Sequence, residues 1–87
     1  MYVIMVYDVN VARVQKVLKT GRKYLTWVQN SVFEGELTEA QFARLQRALQ
    51  KIIDPEEDSI LFYLLRTTAY LERQTLGVIK NEPTQFL

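Results

Sequence analysis

Apolar residues occur in two different patterns along this chain of 87 residues, a continuous run and a helical spacing. Residues 2–7 form a near-continuous apolar run that ends at Asp8, which is typical of a central β-strand. From Val11 to about Tyr24 the apolar residues recur at helical spacing, and Asn10 before them is of a type that often caps helices. The pattern therefore predicts a strand followed by a helix.

A hairpin and a second helix are predicted next. Residues 26–29 and 32–37 are rich in β-forming residues, and the turn-prone Asn-Ser pair between them suits a tight hairpin. Thr38 and Gln41 have the spacing of a capping box, which predicts the start of a helix. That helix is expected to end just before Pro55.

Residues 59–66 form a last long apolar run, which predicts a strand that is apolar on both faces. The order strand-helix-strand-strand-helix-strand matches the ferredoxin-like α+β pattern, in which a four-stranded antiparallel sheet carries both helices on one face. The other face is expected to expose apolar residues of the last strand, Phe62 or Leu64 among them. Such a patch usually marks an interface, so we expect a face-to-face homodimer.

The whole chain, residues 1–87, is predicted to be a single domain, because its length suits one small core. Residues 67–87 form a C-terminal extension, within which residues 76–79 predict a short strand. That strand is too short to stand alone. We expect it to pair with an exposed sheet edge, either of its own chain or of the partner protomer.

The sequence contains no cysteine and no histidine, and its net charge is +1. These absences exclude disulfides, thiolate zinc sites, cysteine nucleophiles and histidine-based catalysis. Any chemistry must therefore rest on carboxylates, hydroxyls or a bound metal. No stretch has the length and apolarity of a signal peptide or a membrane span, so the expectation is a cytoplasmic protein with no membrane partner.

Basic residues gather on the polar sides of both predicted helices and make these faces locally positive. Such surfaces can bind phosphate backbones without sequence preference, although a charged helix face is more often plain solvated surface. The candidate nucleic-acid-binding residues are Arg13, Lys16, Lys19, Lys23, Arg44, Arg47 and Lys51.

Two motifs carry a family resemblance. Tyr7-Asp8 ends the first strand, and the run from Gln29 to Gly35 reads Gln-Asn-Ser-Val-Phe-Glu-Gly in the middle of the chain. Together with the element order and the length, these motifs resemble the small universal CRISPR-associated protein family two. The resemblance covers essentially the whole chain.

The resemblance implies a homodimer in which the two copies of Asp8 face each other across the two-fold axis and hold Mg²⁺ or Mn²⁺. Such an ion would activate water against a phosphodiester of RNA or DNA. The implied activity is that of a metal-dependent endonuclease in CRISPR adaptation. The resemblance also places Tyr7, Ser31 and Phe33 at the catalytic site and Arg13 near phosphate.

Two other functions remain open from the sequence. The same family is associated with a non-catalytic scaffold, in which the dimer binds duplex DNA and bridges CRISPR integrase subunits. One carboxylate per chain is a small catalytic set, which favours this scaffold. Trp27 stands where some relatives carry arginine, which weakens the case for strong phosphate binding near Asp8. An unrelated ferredoxin-like RNA-binding domain is the third interpretation, because a fold alone does not define a function.

The predicted site residues also have structural interpretations. Asp8 can accept amide hydrogen bonds at the N-terminus of the first helix, where negative charge is favoured. Tyr7 and Phe33 can be core residues, and Ser31 can shape the turn through its hydroxyl. The arrangement in three dimensions has to decide between these roles.

Overall fold

The computed structural model describes residues 1–78, and its secondary structure follows the predicted order. The elements are β1 (Tyr2–Asp8), α1 (Val11–Gly21), β2 (Thr26–Gln29), β3 (Val32–Glu36), α2 (Glu39–Gln50) and β4 (Ser59–Leu65). The four strands form one antiparallel sheet in the order β2-β3-β1-β4. This is the predicted ferredoxin-like α+β fold.

Both helices begin where the capping signals predicted. The Asn10 side chain accepts a hydrogen bond from the Ala12 amide at 2.9 Å. At the start of α2, the Thr38 hydroxyl accepts from the Gln41 amide, and the Gln41 side chain accepts from the Thr38 amide. These contacts satisfy amides that have no partner inside the helix.

The helices are shorter than their hydrophobic periodicity predicted. α1 ends at Gly21 rather than at Tyr24, and α2 ends at Gln50, with turns between it and Pro55. Tyr24 and Ile52 lie beyond the helix ends and still pack against the core, which is why the helical spacing of apolar residues continued. Among residues 1–78, no helix has the length and apolarity needed to cross a membrane.

The side chains of β1 alternate between the two faces of the sheet, as the pleat of a strand requires. Val3, Met5 and Tyr7 point toward the helices and are buried. The other members of the buried core are Val17, Leu25, Phe33, Leu37, Leu45 and Leu49. The core therefore lies in a single layer between the sheet and the two helices.

No helix of the described chain covers the opposite face of the sheet, called the open face below. The register places Val6 beside Leu61 and Ile4 beside Tyr63 on this face. Leu61 and Tyr63 are 53% and 56% exposed. The apolar surface patch predicted for the last strand is therefore present in this chain.

Leu61 and Tyr63 form that patch, not Phe62 or Leu64 as predicted. Phe62 lies beside Met5 and Leu64 beside Val3, so both belong to the helix side. Phe62 packs edge-to-face against Phe42 of α2, with ring centroids 5.0 Å apart. The prediction was wrong because β4 is apolar almost throughout, and a shift of one residue in register exchanges the two faces of a strand.

The C-terminal extension is described only in part. Residues 76–78 form no strand within the single chain, and Ile79, the last residue of the predicted short strand, lies outside the described residues. Pairing of this segment with a partner protomer's sheet requires a second copy of the chain and stays a prediction.

A Gly21→Ala variant tests how tightly α1 packs against the sheet. An added Cβ would lie 3.1 Å from two atoms of the Phe33 ring, and Phe33 is fully buried, which prevents the ring from moving aside. We expect the variant to lower the free energy of unfolding by about 1–3 kcal/mol, although alanine is favoured over glycine inside a helix. Urea unfolding measures the difference.

The control is the double variant Gly21→Ala/Phe33→Leu, because leucine lacks the ring atoms that the new methyl group meets. The two changes together should cost less than the sum of their separate costs. Strictly additive costs would show that the methyl group and the ring do not meet.

Candidate functional site

Asp8 is the last residue of β1 and lies on the open face. It is exposed, and it stands beside Ser59, the first residue of β4, in the strand register. Tyr7 immediately before it is buried on the helix side, so alternation directs the Asp8 carboxylate away from the core. A carboxylate in this position is accessible to a cation or a partner protein.

Other residues cap the helix beside Asp8. The Ala12 amide donates to the Asn10 side chain, and the Asn10 amide donates to Asp58 Oδ1 at 2.9 Å. Asp8 therefore does not cap α1. Capping that helix was the structural role considered for Asp8 from the sequence. An exposed carboxylate at the end of an apolar strand without this role is a candidate for function.

Tyr7 and Phe33, which were predicted for the catalytic site, belong to the core. Tyr7 is 6% exposed, Phe33 is fully buried, and their ring centroids lie 5.9 Å apart. The Tyr7 hydroxyl donates to the Asn30 carbonyl at 3.0 Å. Burial raises the pKa of Tyr7, and the nearby Arg22 partly offsets this effect. Its burial and this hydrogen bond place the Tyr7 hydroxyl on the helix side of the sheet, whereas Asp8 lies on the open face.

Ser31 is the second residue of the Asn30–Ser31 turn between β2 and β3, at the same end of the sheet as Asp8. Its carbonyl accepts a hydrogen bond from the Tyr7 amide at 3.0 Å. The residue before it, Asn30, has a φ of 42°, a conformation that asparagine tolerates better than most residues. The Asn30 carbonyl also accepts from the Trp27 indole at 3.0 Å. The turn is thus anchored to β1 and β2, an arrangement that sequence reasoning did not predict.

Arg13 is held by the acidic loop that precedes β4. Its Nε donates to Asp58 Oδ2 at 2.6 Å, and one terminal nitrogen donates to Asp58 Oδ1 at 3.1 Å and to Glu57 Oε2 at 2.6 Å. These hydrogen bonds raise the pKa of Arg13, and the Arg13 guanidinium lowers the pKa of Asp58. The structure therefore gives Arg13 a structural role, and its predicted phosphate contact stays a prediction.

Asp58 is the residue that sequence reasoning missed. Its side chain has no exposed surface, and besides Arg13 it accepts hydrogen bonds from the amides of Asn10 and Asp54 at 2.9 and 2.8 Å. It lies in an acidic turn, and such a sequence usually indicates solvated surface. Its partner Arg13 is 45 residues away in sequence, so no local pattern could have identified the pair.

The remaining basic candidates lie on the helix layer. α1 and α2 contact each other on the helix side of the sheet, and Asp8 lies on the opposite face. These candidates are all exposed, as is Arg22 at the end of α1, and they are Lys16, Lys19, Lys23, Arg44, Arg47 and Lys51. The structure therefore separates the predicted nucleic-acid-binding residues from the predicted metal ligand.

A cleft of about 600 Å³ lies between α2 and the end of β4. Met1, Phe42 and Leu64 are among the residues that line it, and none of the predicted site residues does. Because Met1 precedes β1 and Asp8 ends it, this cleft lies at the far end of the strand from the carboxylate. It forms no part of the candidate site.

Asp8 alone is an incomplete metal site. Within residues 1–78, no group of three or more Asp or Glu side chains could hold a metal ion, and the chain has no His or Cys to contribute. Mg²⁺, however, needs only one or two protein carboxylates, together with waters and substrate phosphate oxygens. A second Asp8 across a two-fold axis would complete such a set.

Comparisons with known proteins identify the family. A family model described as CRISPR associated protein Cas2 matches residues 1–73. The chain belongs to the Cas2 family. A protein named CRISPR-associated endoribonuclease Cas2 from Dictyoglomus turgidum is 62% identical over 87 residues, which is 100% of both chains. A Thermotoga maritima protein of the same name is 52% identical over 82 residues, 94% of each chain.

Solved Cas2 structures share the fold. One Cas2 crystal structure matches with a TM-score of 0.88 at 46% identity, covering 94% of this chain and 92% of the other. Cas2 from Streptococcus pyogenes matches with a TM-score of 0.79 at 41% identity, covering 88% of this chain and 100% of the other. The family predicted from the Tyr7-Asp8 strand end and the central motif is confirmed.

An Asp58→Asn variant tests the buried ion pair through its pH dependence. The folded-state pKa of Asp58 lies below the ordinary value of 3.8, so its carboxylate stabilises the fold at higher pH and loses this effect as the pH falls below about 3.8. We expect the variant to be less stable at pH 7 and to lose less stability than the wild type on acidification. Thermal melts from pH 7 to pH 2 measure both effects.

Glu57→Gln is the matched control, because it removes a carboxylate from the same guanidinium at a site that is 56% exposed. Exposed ion pairs contribute little, so this variant should melt close to the wild type. Equal destabilisation by the two variants would contradict the special role of the buried carboxylate.

Proposed function

We propose that this Cas2 protein is a metal-dependent endonuclease of CRISPR adaptation that cleaves phosphodiester bonds of RNA or DNA as a homodimer. The observation that carries the proposal is the exposed Asp8 carboxylate on the open face, which has no part in the neighbouring helix cap. The relatives named CRISPR-associated endoribonucleases support a nuclease.

A face-to-face homodimer would cover the apolar part of the open face. Residues 59–65 of β4 contain no charged residue, so this surface can meet its own copy without repulsion, as an interface between identical patches requires. Burial of the exposed parts of Leu61 and Tyr63 would contribute on the order of 1 kcal/mol for each side chain. A small domain gains most from such an interface, because it buries little surface alone.

The two-fold axis of this dimer would bring two Asp8 carboxylates together. Neighbouring carboxylates disfavour each other's charge, and a cation between them removes that cost. Mg²⁺ or Mn²⁺ suits this donor set, because such hard cations take carboxylate, water and phosphate oxygens as ligands. When bound, the ion would supply an activated water and charge stabilisation at the scissile phosphate, in a chain that has no histidine.

The other predicted site residues would position Asp8 rather than touch the substrate. The Tyr7 amide and hydroxyl donate to the carbonyls of Ser31 and Asn30, which holds the end of β1 against the β2–β3 turn. Phe33 packs against the Tyr7 ring from within the core. A shift of about 1 Å in a reacting group is enough to reduce catalysis strongly, so these contacts bear on activity without direct chemistry.

A non-catalytic scaffold is the second candidate function, and the separation of the two residue sets favours it. In a face-to-face dimer both helix layers would point outward and carry the basic residues Lys16, Lys19, Lys23, Arg44, Arg47 and Lys51. Such an array would bind the DNA backbone in a salt-dependent manner. The dimer would then hold a duplex and bridge CRISPR integrase subunits without using Asp8.

An Asp8→Asn variant tests the nuclease proposal. Labelled single-stranded RNA and double-stranded DNA are incubated with each protein in Mg²⁺ or in EDTA. We expect Mg²⁺-dependent cleavage by the wild type and a loss of at least about 100-fold in the variant, since even indirect supports of a metal site cost 10–100-fold. Binding of both nucleic acids in low and moderate salt should be retained.

Glu39→Gln is the matched control, because it also removes one exposed carboxylate, at the start of α2 and beside Met1 at the far end of β1. It should cleave at the wild-type rate. Equal background cleavage by all three proteins, with salt-sensitive duplex binding, would reject the nuclease and leave the scaffold as the function.

A Leu61→Glu variant tests the dimer. The carboxylate would replace an exposed apolar side chain in the middle of the open-face patch, where a second copy would bury it. We expect light scattering to give a dimer mass for the wild type and a monomer mass for the variant. Val11→Glu serves as the control, because Val11 is 84% exposed at the start of α1, outside the sheet. An unchanged mass for Leu61→Glu would reject this interface.

A further inference from the structure

Two acidic side chains share the guanidinium group of Arg13, and they bind different sides of it. Asp58 binds the side that carries Nε, with hydrogen bonds of 2.6 Å from Nε and 3.1 Å from one terminal nitrogen. The same terminal nitrogen also donates to Glu57, at 2.6 Å. Glu57 therefore lies at the outer end of the group, where the two terminal nitrogens present a fork of parallel N–H donors.

Only half of this fork is used. Glu57 accepts from one terminal nitrogen, and within residues 1–78 the other terminal nitrogen has no acceptor. Arginine binds carboxylate and phosphate groups most strongly when both nitrogens of such a fork donate to the same group. The contact between Arg13 and Glu57 thus leaves one donor for a second acceptor oxygen.

The two carboxylates also differ in how firmly they are held. The Asp58 side chain has no exposed surface and accepts two further hydrogen bonds from backbone amides. Separating it from Arg13 would leave a buried charge without its partner, which is costly. The Glu57 side chain is 56% exposed, so water can take the place of Arg13, and exposed ion pairs contribute little stability. Glu57 can therefore leave while Asp58 keeps the arginine in place.

Arg13 lies at the end of the sheet where β1 presents Asp8. Its anchor Asp58 directly precedes Ser59, which stands opposite Asp8 in the strand register. Asp58 also accepts from the amide of Asn10, two residues after Asp8. Of the Arg13 side chain, 24% is exposed, so a ligand that approaches this end of the molecule can reach it.

We propose that Glu57 is an internal competitor of nucleic acid: it occupies the Arg13 fork in the free protein and yields it to a phosphate of the nucleic-acid backbone. A phosphate can accept from both terminal nitrogens, whereas Glu57 accepts from one. Asp58 stays bound and keeps the fork in position. The proposal rests on the nucleic-acid binding that both proposed functions require, and it adds the residue that opposes this binding at Arg13.

The affinity of a Glu57→Gln variant for nucleic acid tests the competition. Binding of a labelled DNA duplex and of a labelled single-stranded RNA is measured by fluorescence anisotropy in EDTA, which prevents metal-dependent cleavage. We expect the variant to bind about three- to fivefold more tightly than the wild type, because the phosphate no longer has to displace a weak ion pair. A purely structural role of Glu57 predicts no gain in affinity.

Glu56→Gln is the matched control. Glu56 is the neighbouring exposed carboxylate of the same loop, and the ion pairs of Arg13 in the described chain are with Glu57 and Asp58. Each variant removes one negative charge, so both change the long-range attraction of phosphate in the same way. Salt screens that attraction beyond about 8 Å at physiological ionic strength, where the gain should persist in Glu57→Gln and vanish in Glu56→Gln.

An Arg13→Lys background shows whether the gain acts through Arg13. Lysine keeps a positive charge beside Asp58 but has no planar fork to divide between two ligands. In this background Glu57→Gln and Glu56→Gln should bind with equal affinity. If Arg13→Lys fails to fold, the comparison of the two variants in the wild-type background still decides.

The outcomes separate this proposal from the proposed functions. Equal affinities of Glu57→Gln and Glu56→Gln in both salt conditions would overturn the competition and leave nucleic-acid binding intact. A gain that survives in the Arg13→Lys background would overturn it as well, because Glu57 would then act elsewhere. If none of the proteins binds nucleic acid, the proposed functions fail together with it.

Nuclear magnetic resonance of the arginine side chains follows the exchange directly. The Nε–H signal of Arg13 should stay protected from hydrogen exchange when the duplex is added, because Asp58 keeps this hydrogen bond. Loss of that protection would show that the phosphate displaces both carboxylates, and would reject the proposal.

Discussion

β1 lies in the middle of the sheet, paired with β3 on one side and β4 on the other, and its alternation organises both faces of the molecule. Val3, Met5 and Tyr7 enter the core below the helices, while Ile4, Val6 and Asp8 lie on the open face. Adjacent residues of the strand therefore take part in different layers. Tyr7 anchors a turn from within the core, and Asp8 presents its carboxylate on the other side.

The surroundings of Asp8 are held by contacts that involve neither its carboxylate nor a metal. Asp58 binds Arg13 from α1 and the amide of Asn10, which fixes the start of α1 to the loop before β4. On the other side of β1, the Ser31 carbonyl accepts a hydrogen bond from the Tyr7 amide. The backbone at Asp8 thus lies between two anchored segments, as the proposed role of Asp8 as a metal ligand requires.

The two surfaces of the protein have different chemistry. The helix layer is exposed and basic. The open face is largely apolar, and its carboxylates are Asp8 at the end of β1, Glu34, which pairs with Arg73, and Glu36, which pairs with the amino terminus. The first surface suits the phosphate backbone of a nucleic acid, and the second suits a second copy of the chain. Because the sheet lies between them, substitutions can impair one surface and leave the other intact, so that the two proposed functions can be tested separately by mutation.

Local sequence determined most of the fold and one part of the site. The Asn10 cap and the Thr38–Gln41 capping box involve residues two or three positions apart, so they could be recognised without a structure. The same holds for the strand that ends at Asp8, since an apolar run and its polar end are adjacent. The element order, the fold and the family followed from such signals.

Only the tertiary structure decided which face each β4 residue occupies and which charges meet. β4 is apolar in nearly every position, so its sequence has no alternation from which to choose a face, and pairing with β1 makes that choice. The partners of Arg13 and Glu34 lie on distant segments, and an acidic turn or a basic residue looks the same in sequence whether it is solvated or paired. Charge and hydrophobicity are properties of single residues, but burial and pairing are properties of the folded chain.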